Sequence, residues 1–293
     1  MRLVVTGASG QLGRRVAELL IERPRLEALI LVTRTPDTLA DLAARGADVR
    51  RGDFDDPDQL RRALAGGDRM LLISGTDLER RVAQHLAAIL AASAAGVRHI
   101  AYTSCLSPAP PNPAFVAPSH YATERWLEES GLGWTILRNS LYAEYQIAEA
   151  ARAIATGTLV HNRGAGQVAY VSREDCAATA AAVLASPGHE GAAYDITGPE
   201  ALSAPALAAL YGELGERTIE VIPLDDEHLM TRLVGEADED GHLRYGAELV
   251  TSFGRSIREG FMAGCSDTVA RLTGRPALTL RQVLQPHCEH RVQ

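Results

Sequence analysis

The stretch Val5–Gly13, VTGASGQLG, decides how this chain is built. It stands between an apolar run, RLVVT, and an amphipathic run, QLGRRVAELLIER, so a strand ends where the glycines begin and a helix starts where they stop. Gly7, Gly10 and Gly13 then have separate tasks. The first permits a tight turn, the second lets backbone approach a pyrophosphate, and the third lets the helix pack closely on the strand. Around them Thr6, Ser9, Gln11 and Leu12 complete a loop whose amides are expected to meet phosphate oxygens, with the helix dipole behind them. A glycine triplet alone is a weak signal, and a structural turn is its bland reading. The strand before, the helix after and the βαβ run that follows favour a bound dinucleotide.

Downstream, short apolar runs alternate with helical patterns: ALILVTR, PDTLADLAARG, ADVRRGD, PDQLRRALAG, RMLLIS, ERRVAQHLAAILAASAAG, HIAYTS, ATERWLEESG and WTILRN. That alternation predicts an α/β fold, a doubly wound parallel Rossmann sheet, with residues 1–150 as the dinucleotide-binding domain. Residues 151–293 are expected to form a smaller C-terminal lobe that binds substrate, while 176–198, ending in AAYDITG, returns to the sheet. In the lobe, Ser203 as N-cap and Pro205 in the first turn open a helix, and IEVIPL reads as a strand. GRSIREGFMAGCSDTVARLTG and LRQVLQPH read as helices.

With 293 residues and 46% hydrophobic content, the chain can bury a substantial core and is too apolar for disorder. Twenty-nine basic residues against 37 acidic ones leave a net charge of −8, which argues against nucleic acid or anionic lipid as the main partner. A small molecule is the expected partner, and the protein is expected to be a monomer or homodimer. No apolar stretch reaches the roughly 18 residues of a membrane helix, and no secretory leader pattern opens the chain, so a soluble cytoplasmic protein is expected. Four cysteines without a C-x-x-C pair fit a reducing compartment. All 29 basic residues are arginine, so the chain has no lysine and no lysine chemistry.

Cofactor choice is set where the second strand ends, because an acid there bonds a ribose 2′-hydroxyl and an arginine suits a 2′-phosphate. The strand LILVTR ends in Arg34, and no acid occupies that place, which favours NADP(H) over NAD. Asp53 and Phe54, after the third strand, are expected to flank the adenine, with a solvated loop carboxylate as the alternative for Asp53.

The segments VTGASGQLG, LVTRTPD, RRGDFDDP, LLIS, AAGVRHIAYTS, HYATERWLEESGLGWTILRNSLYAE and GHEGAAYDITG together resemble atypical short-chain dehydrogenases of the NmrA-like group, above all their bacterial NAD(P)H:quinone oxidoreductase branch. The resemblance covers residues 1–200 well and the remainder only in outline. It implies a register for the acid dyad of related reductases, whose lysine falls eleven residues before Gly131. His120 takes the lysine place, Glu124 the acidic place and Val116 the tyrosine place, so both dyad members are missing. Tyr121, which with Arg125 mimics a Y-x-x-x-R dyad, is one residue out of register and turned roughly 100° around the helix.

The same resemblance sets Ser104 where relatives keep a substrate-facing serine, with Thr103 beside it, although capping the following turn is an alternative. It sets Ser74 and Gly75 beside the nicotinamide ribose, and Asn139, Tyr142 and Tyr145 along the nicotinamide and substrate pocket, with ordinary packing as the alternative for both tyrosines. His120 has two readings, a neutral imidazole that positions ligand or gives a proton near pH 7, and a partly buried helix polar residue. The candidate catalytic residues are thus Ser104, His120 and Tyr142.

Losing a positioned general acid typically costs 10²–10⁴ in rate, so an ordinary ketone would be served poorly. A reduced quinone oxygen is a delocalised phenolate that can wait for solvent protons. The sequence therefore favours an NADPH-dependent reductase of quinones or conjugated aromatic carbonyls. A ketoreductase whose substrate donates its own proton, and a non-catalytic NADP(H) sensor, stay open. No metal site is expected: His287, Cys288 and His290 in PHCEH read as a tail, and residues 235–244 as a solvated loop.

Overall fold

The computed structural model describes residues 1–23, 28–235 and 242–288. Its first half alternates as the sequence predicts: β1 (Arg2–Thr6), α1 (Gln11–Ile21), β2 (Ala28–Thr33), a 3₁₀ turn (Pro36–Leu39) into α2 (Ala40–Ala44), β3 (Asp48–Arg51), α3 (Pro57–Leu64), β4 (Arg69–Leu72), α4 (Arg81–Ala94), β5 (His99–Cys105), α5 (Ala117–Glu129) and β6 (Gly133–Asn139). Then follow α6 (Tyr145–Thr156), β7 (Thr158–His161), β8 (Gln167–Val168), α7 (Arg173–Ala185), β9 (Ala192–Ile196), β10 (Leu202–Ser203), α8 (Ala204–Leu214), β11 (Glu220–Pro223), α9 (Asp226–Val234), α10 (His242–Arg258), α11 (Thr268–Thr273) and α12 (Leu280–Cys288). Seven strands form one parallel sheet in the order β3-β2-β1-β4-β5-β6-β9, so the order reverses between β1 and β4. In such sheets ligands bind outside the strand C-termini at that reversal.

Both faces of the sheet are covered, which is why the strands between its edges β3 and β9 are mostly apolar. Leu3, Val5, Leu29 and Leu31 pack with α1, α2 and α7, while Val4, Ile30, Val32 and Met70 pack with α3, α4 and α5. Helix α1 buries Leu12, Val16, Ala17 and Leu20, a stripe at helical spacing. Emptying one such leucine position to alanine costs about 2–5 kcal/mol in comparable cores. Its partner α7 is buried on nearly every side and built of alanines around Cys176, Val183 and Leu184. Ser172 caps α7 by accepting the Asp175 amide at 2.9 Å, and the buried Asp175 carboxylate accepts Arg275 at 2.6 Å and the Leu278 amide at 2.9 Å. One capping pair thereby pins the segment before α12 against the sheet layer.

Two sequence readings change here. The run 254–274 is not one helix: α10 ends at Arg258, Gly260 adopts φ +87, and a new short helix begins at Thr268. The expected solvated loop at 235–244 is shorter, because α10 starts at His242, while 236–241 lie outside the described residues. His290 also lies outside them. Among the described residues no group of three or more His, Cys, Asp or Glu side chains could hold a metal ion, and no helix is long and apolar enough to cross a membrane.

Candidate cofactor and substrate site

The glycine loop has the geometry its spacing implies. Gly7 sits at φ +62, a conformation that L side chains rarely adopt, and its carbonyl accepts the Gly10 amide at 3.0 Å. A Cβ on Gly13 would lie 2.3 Å from that carbonyl oxygen and 2.9 Å from the Ala8 Cα, so α1 can approach the loop only with glycine there. Gly10 caps α1 with no side chain bonding the first turn, and no acid stands in that turn. Gly7, Ser9, Gly10 and Gln11 are exposed, whereas Leu12 is buried and can offer only its backbone. The Thr6 side chain is committed elsewhere: its hydroxyl donates to the Leu71 carbonyl at 3.0 Å and accepts the Ile73 amide at 3.3 Å, joining β1 to β4.

Arg34, just past β2, is exposed and makes no hydrogen bond or ion pair with another described residue. Arg14 differs, because its guanidinium is held by Asp41 at 2.8 Å and by the Thr38 carbonyl at 2.9 Å. An uncommitted guanidinium beside an anion-ready helix N-terminus suits a 2′-phosphate. Asp53 is half-buried and accepts the Asp55 amide at 3.1 Å, and Phe54 leans on the hydrophobic layer below α3 and α4.

At the other side of the reversal the strand ends are stitched by side chains. The Ser74 amide donates to Thr103 Oγ1 at 2.9 Å. Both polar atoms of Gly75 are held from α4: its amide donates to His85 Nε2 at 3.0 Å, and its carbonyl accepts Arg81 Nε at 2.7 Å. Because His85 Nε2 is an acceptor, its proton sits on Nδ1, 2.9 Å from Thr123 Oγ1, whose own hydroxyl donates to the Ser119 carbonyl at 2.8 Å. Burial, reinforced by the nearby Arg81 charge, drives the His85 pKa down to about 3.

His120 faces this same interior. Its Nδ1 shares a 2.7 Å hydrogen bond with the Tyr102 hydroxyl, and its Nε2 lies 3.4 Å from Arg81 Nη1. Burial first, then the Arg81 and His85 charges, holds its pKa well below the ordinary histidine value. A proton given near pH 7 would need an imidazolium that this environment disfavours. Ser104 does not cap the turn after β5; its hydroxyl donates to Glu124 at 2.7 Å, and Arg138 closes on the same carboxylate at 3.0 and 2.7 Å. Tyr121 lies beside the Arg125 guanidinium, 5.7 Å from ring centre, and has no part in the interior network.

Asn139 ends β6 and its amide donates to the Tyr142 hydroxyl at 3.4 Å. The Arg173 guanidinium lies 5.1 Å from the ring centres of both Tyr142 and Tyr145. Next in sequence, Ser140 has a buried hydroxyl without a hydrogen-bond partner among the described residues. Farther out, a cavity of about 400 Å³ opens beside Pro113, Phe115, Met230 and Ser252, and the Phe115 ring meets Tyr245 edge-on at 5.9 Å. None of the glycine-loop residues lines it. Sequence reasoning missed Arg81, His85, Tyr102 and Arg173. The available signal was Arg81 and His85 four apart on an otherwise apolar, alanine-rich helix.

A parallel sheet with a glycine turn at φ +62, a helix N-terminus free of side-chain caps and an open arginine define a dinucleotide-binding Rossmann protein. The family described as NAD(P)H-binding matches residues 7–187, and the chain belongs to it, within the NmrA-like group related to short-chain dehydrogenases. It is 34% identical over 280 residues to quinone oxidoreductase 2 of Escherichia coli, covering 96% of each chain. It is 28% identical to an NAD(P)H azoreductase of Xenophilus azovorans, covering 97% of each. The crystal structure of the Escherichia coli NADPH-dependent quinone oxidoreductase complexed with NADPH superposes with a TM-score of 0.91 at 33% identity, covering 97% of this chain and 99% of that one.

Proposed function

We propose that this NAD(P)H-dependent oxidoreductase reduces quinones or related conjugated aromatic carbonyls, using NADPH and no Tyr/Lys acid dyad. The observation that carries the reading is compositional: the chain has no lysine, and the position that the family resemblance gives to the dyad lysine holds His120, buried and with its pKa well below the ordinary histidine value. The names of its quinone- and azo-reducing relatives support the same chemistry. Bound NADPH supplies hydride, a proton with two electrons; its C4–H bond breaks, a new bond to hydrogen forms on the quinone, and one solvent proton completes the hydroquinone.

The chain's residues supply binding and orientation. Gly7, Gly10 and Gly13, with the amides of Ser9, Gln11 and Leu12, hold the pyrophosphate, and Arg34 reads the 2′-phosphate. Asp53 and Phe54 flank the adenine. Ser74, Gly75 and Thr103 support the nicotinamide ribose from strand ends fixed by side-chain hydrogen bonds. Asn139 and Tyr142 wall the nicotinamide. Ser104 and His120 are positioning residues: the Ser104 proton is given to Glu124, and His120 braces Tyr102 beneath the strand ends. Elements beyond residue 199, with the cavity beside Phe115 and Met230, select the substrate. Orientation in a closed site is worth several powers of ten in rate without any acid.

The test is oxidation of NADPH by purified protein across a panel of benzoquinones and naphthoquinones, followed by the absorbance of the reduced cofactor. Turnover well above the protein-free background is expected. Background rates throughout, combined with tight NADP(H) binding, would sink the reductase reading and favour a sensor.

A further inference from the structure

We propose that Arg81 is the fixed cation of the reduction site, holding Gly75 through Nε and stabilising the negative oxygen of the reduced substrate through its outer nitrogen. The proposal rests on the reductase reading for the identity of that oxygen. It rests on four observations for the cation itself.

First, Arg81 is buried, only 7% exposed, and among the described residues no carboxylate lies within ion-pair distance of it. The buried Arg138 shows the ordinary alternative, because it closes on Glu124 at 2.7 Å. Every bond that Arg81 does make is to a neutral group: the Gly75 carbonyl at 2.7 Å, Ser119 Oγ at 3.3 Å and His120 Nε2 at 3.4 Å. A guanidinium stays charged in proteins, so this is a buried positive charge with no carboxylate in contact; Asp77 acts on it only from beyond ion-pair distance and is itself tied to Arg80 at 2.7 Å.

Second, its Nη2 has no hydrogen-bond partner among the described residues, and it is not one of the fully enclosed orphan atoms. One donor edge of the fork is therefore left over. Third, the guanidinium is within electrostatic reach of Tyr102, of Tyr245, whose ring contacts Phe115 at the rim of the cavity, of Cys105, the last residue of β5, and most weakly of Asp77. The guanidinium thus lies near both the end of β5 and α10, which carries Tyr245. Fourth, the neighbouring imidazoles of His85 and His120 are kept neutral, so no second cation shares the position.

The sheet order assigns the ligand. The pyrophosphate site lies at β1 and α1, whereas Arg81 stands over β4 and β5 on the other side of the reversal. The anion there is the substrate's oxygen as it gains charge, and a preorganised cation in a site shielded from water stabilises that charge more than it stabilises the neutral ground state.

The experiment uses the full chain saturated with NADP⁺ and two probes, 4-nitrophenolate at pH 8.5 and the uncharged 4-nitroanisole. Wild type is expected to bind the phenolate at least about tenfold more tightly, with the bound nitrophenol's absorbance titration shifted down by about one pH unit, the same tenfold ratio. Arg81→Met should abolish both differences. If that variant does not fold, Arg81→Gln, which keeps an amide donor for Gly75, replaces it. Equal affinity of wild type for the two probes overturns the proposal. So does a phenolate preference that survives loss of the guanidinium, since the nicotinamide charge then accounts for it. A merely structural Arg81 would change stability and leave the ratio alone. Phenolate preference in a protein that turns over no quinone would keep the cation and discard the quinone.

Discussion

The two ends of the cofactor groove are built on opposite principles. At the β1–α1 end, function comes from side chains that are missing: Gly7 at φ +62, Gly13 with no room for a Cβ, a helix cap with no side-chain bond, and an uncommitted Arg34. At the β4–β5 end it comes from side chains that are almost all engaged: Thr103 on Ser74, His85 and Arg81 on Gly75, Tyr102 on His120, and Ser104 on Glu124. The first end leaves backbone amides and a cation uncommitted. The second fixes backbone in place by enclosing it in a hydrogen-bonded interior. Phosphate is the same on every nucleotide and can be met by bare backbone, while the reacting ring must be aimed, which takes a rigid surround.

The largest expected effect breaks the open end. Gly13→Ala places a methyl 2.3 Å from the Gly7 carbonyl, where only backbone movement can relieve it. NADPH affinity should fall about a hundredfold, some 2.7 kcal/mol, as read by titration of cofactor fluorescence. Wild-type affinity in that variant would mean that the loop does not touch the phosphates. Arg34→Glu should weaken NADPH to a similar degree but spare NADH, which sharpens the assignment. NADPH binding should weaken about a hundredfold and NADH binding less than about threefold, because only one carries the 2′-phosphate. Equal losses would remove Arg34 from phosphate recognition.

The smallest effect probes the enclosed end through pH. Burial and the adjacent Arg81 hold His85 neutral down to about pH 3, and burial with the Arg69 charge holds His99 neutral to about pH 4, against an ordinary value of 6.5. The unfolded chain therefore takes up protons below pH 6.5 that the folded chain refuses. Stability from these groups is full above pH 6.5 and falls as pH drops toward 4, by about 1.4 kcal/mol per pH unit for each histidine. Thermal midpoints from pH 8 to 5 should show this decline, and His85→Asn should flatten it. An unchanged slope in the variant would contradict the neutral-histidine interior.

Legibility in the sequence follows the same division. Strand and helix alternation and the glycine turn were readable because each depends on residues within a few positions of one another. The absence of lysine was readable from composition, and His120 does face inward while Tyr121 does not. The fate of Ser104 was not readable, because its partner Glu124 lies on α5 and that carboxylate's other partner, Arg138, lies on β6. Nor was Arg81, an arginine among 29, since nothing local says that its guanidinium reaches Gly75, Ser119 and His120. The break between α10 and α11 was missed for a related reason, as Gly260 can sit inside a helical pattern or end it, and the turn's surroundings choose.

By itself the sequence determined the parallel sheet, the phosphate loop and the absence of lysine chemistry. These are consequences of local periodicity, backbone sterics and composition. Only the tertiary structure decided which polar side chains are spent on one another and which are left for a ligand. A hydrogen bond or a buried charge depends on groups brought together from distant parts of the chain, and folding alone brings Arg81 to Ser119 and His120 with no carboxylate of the described residues in contact.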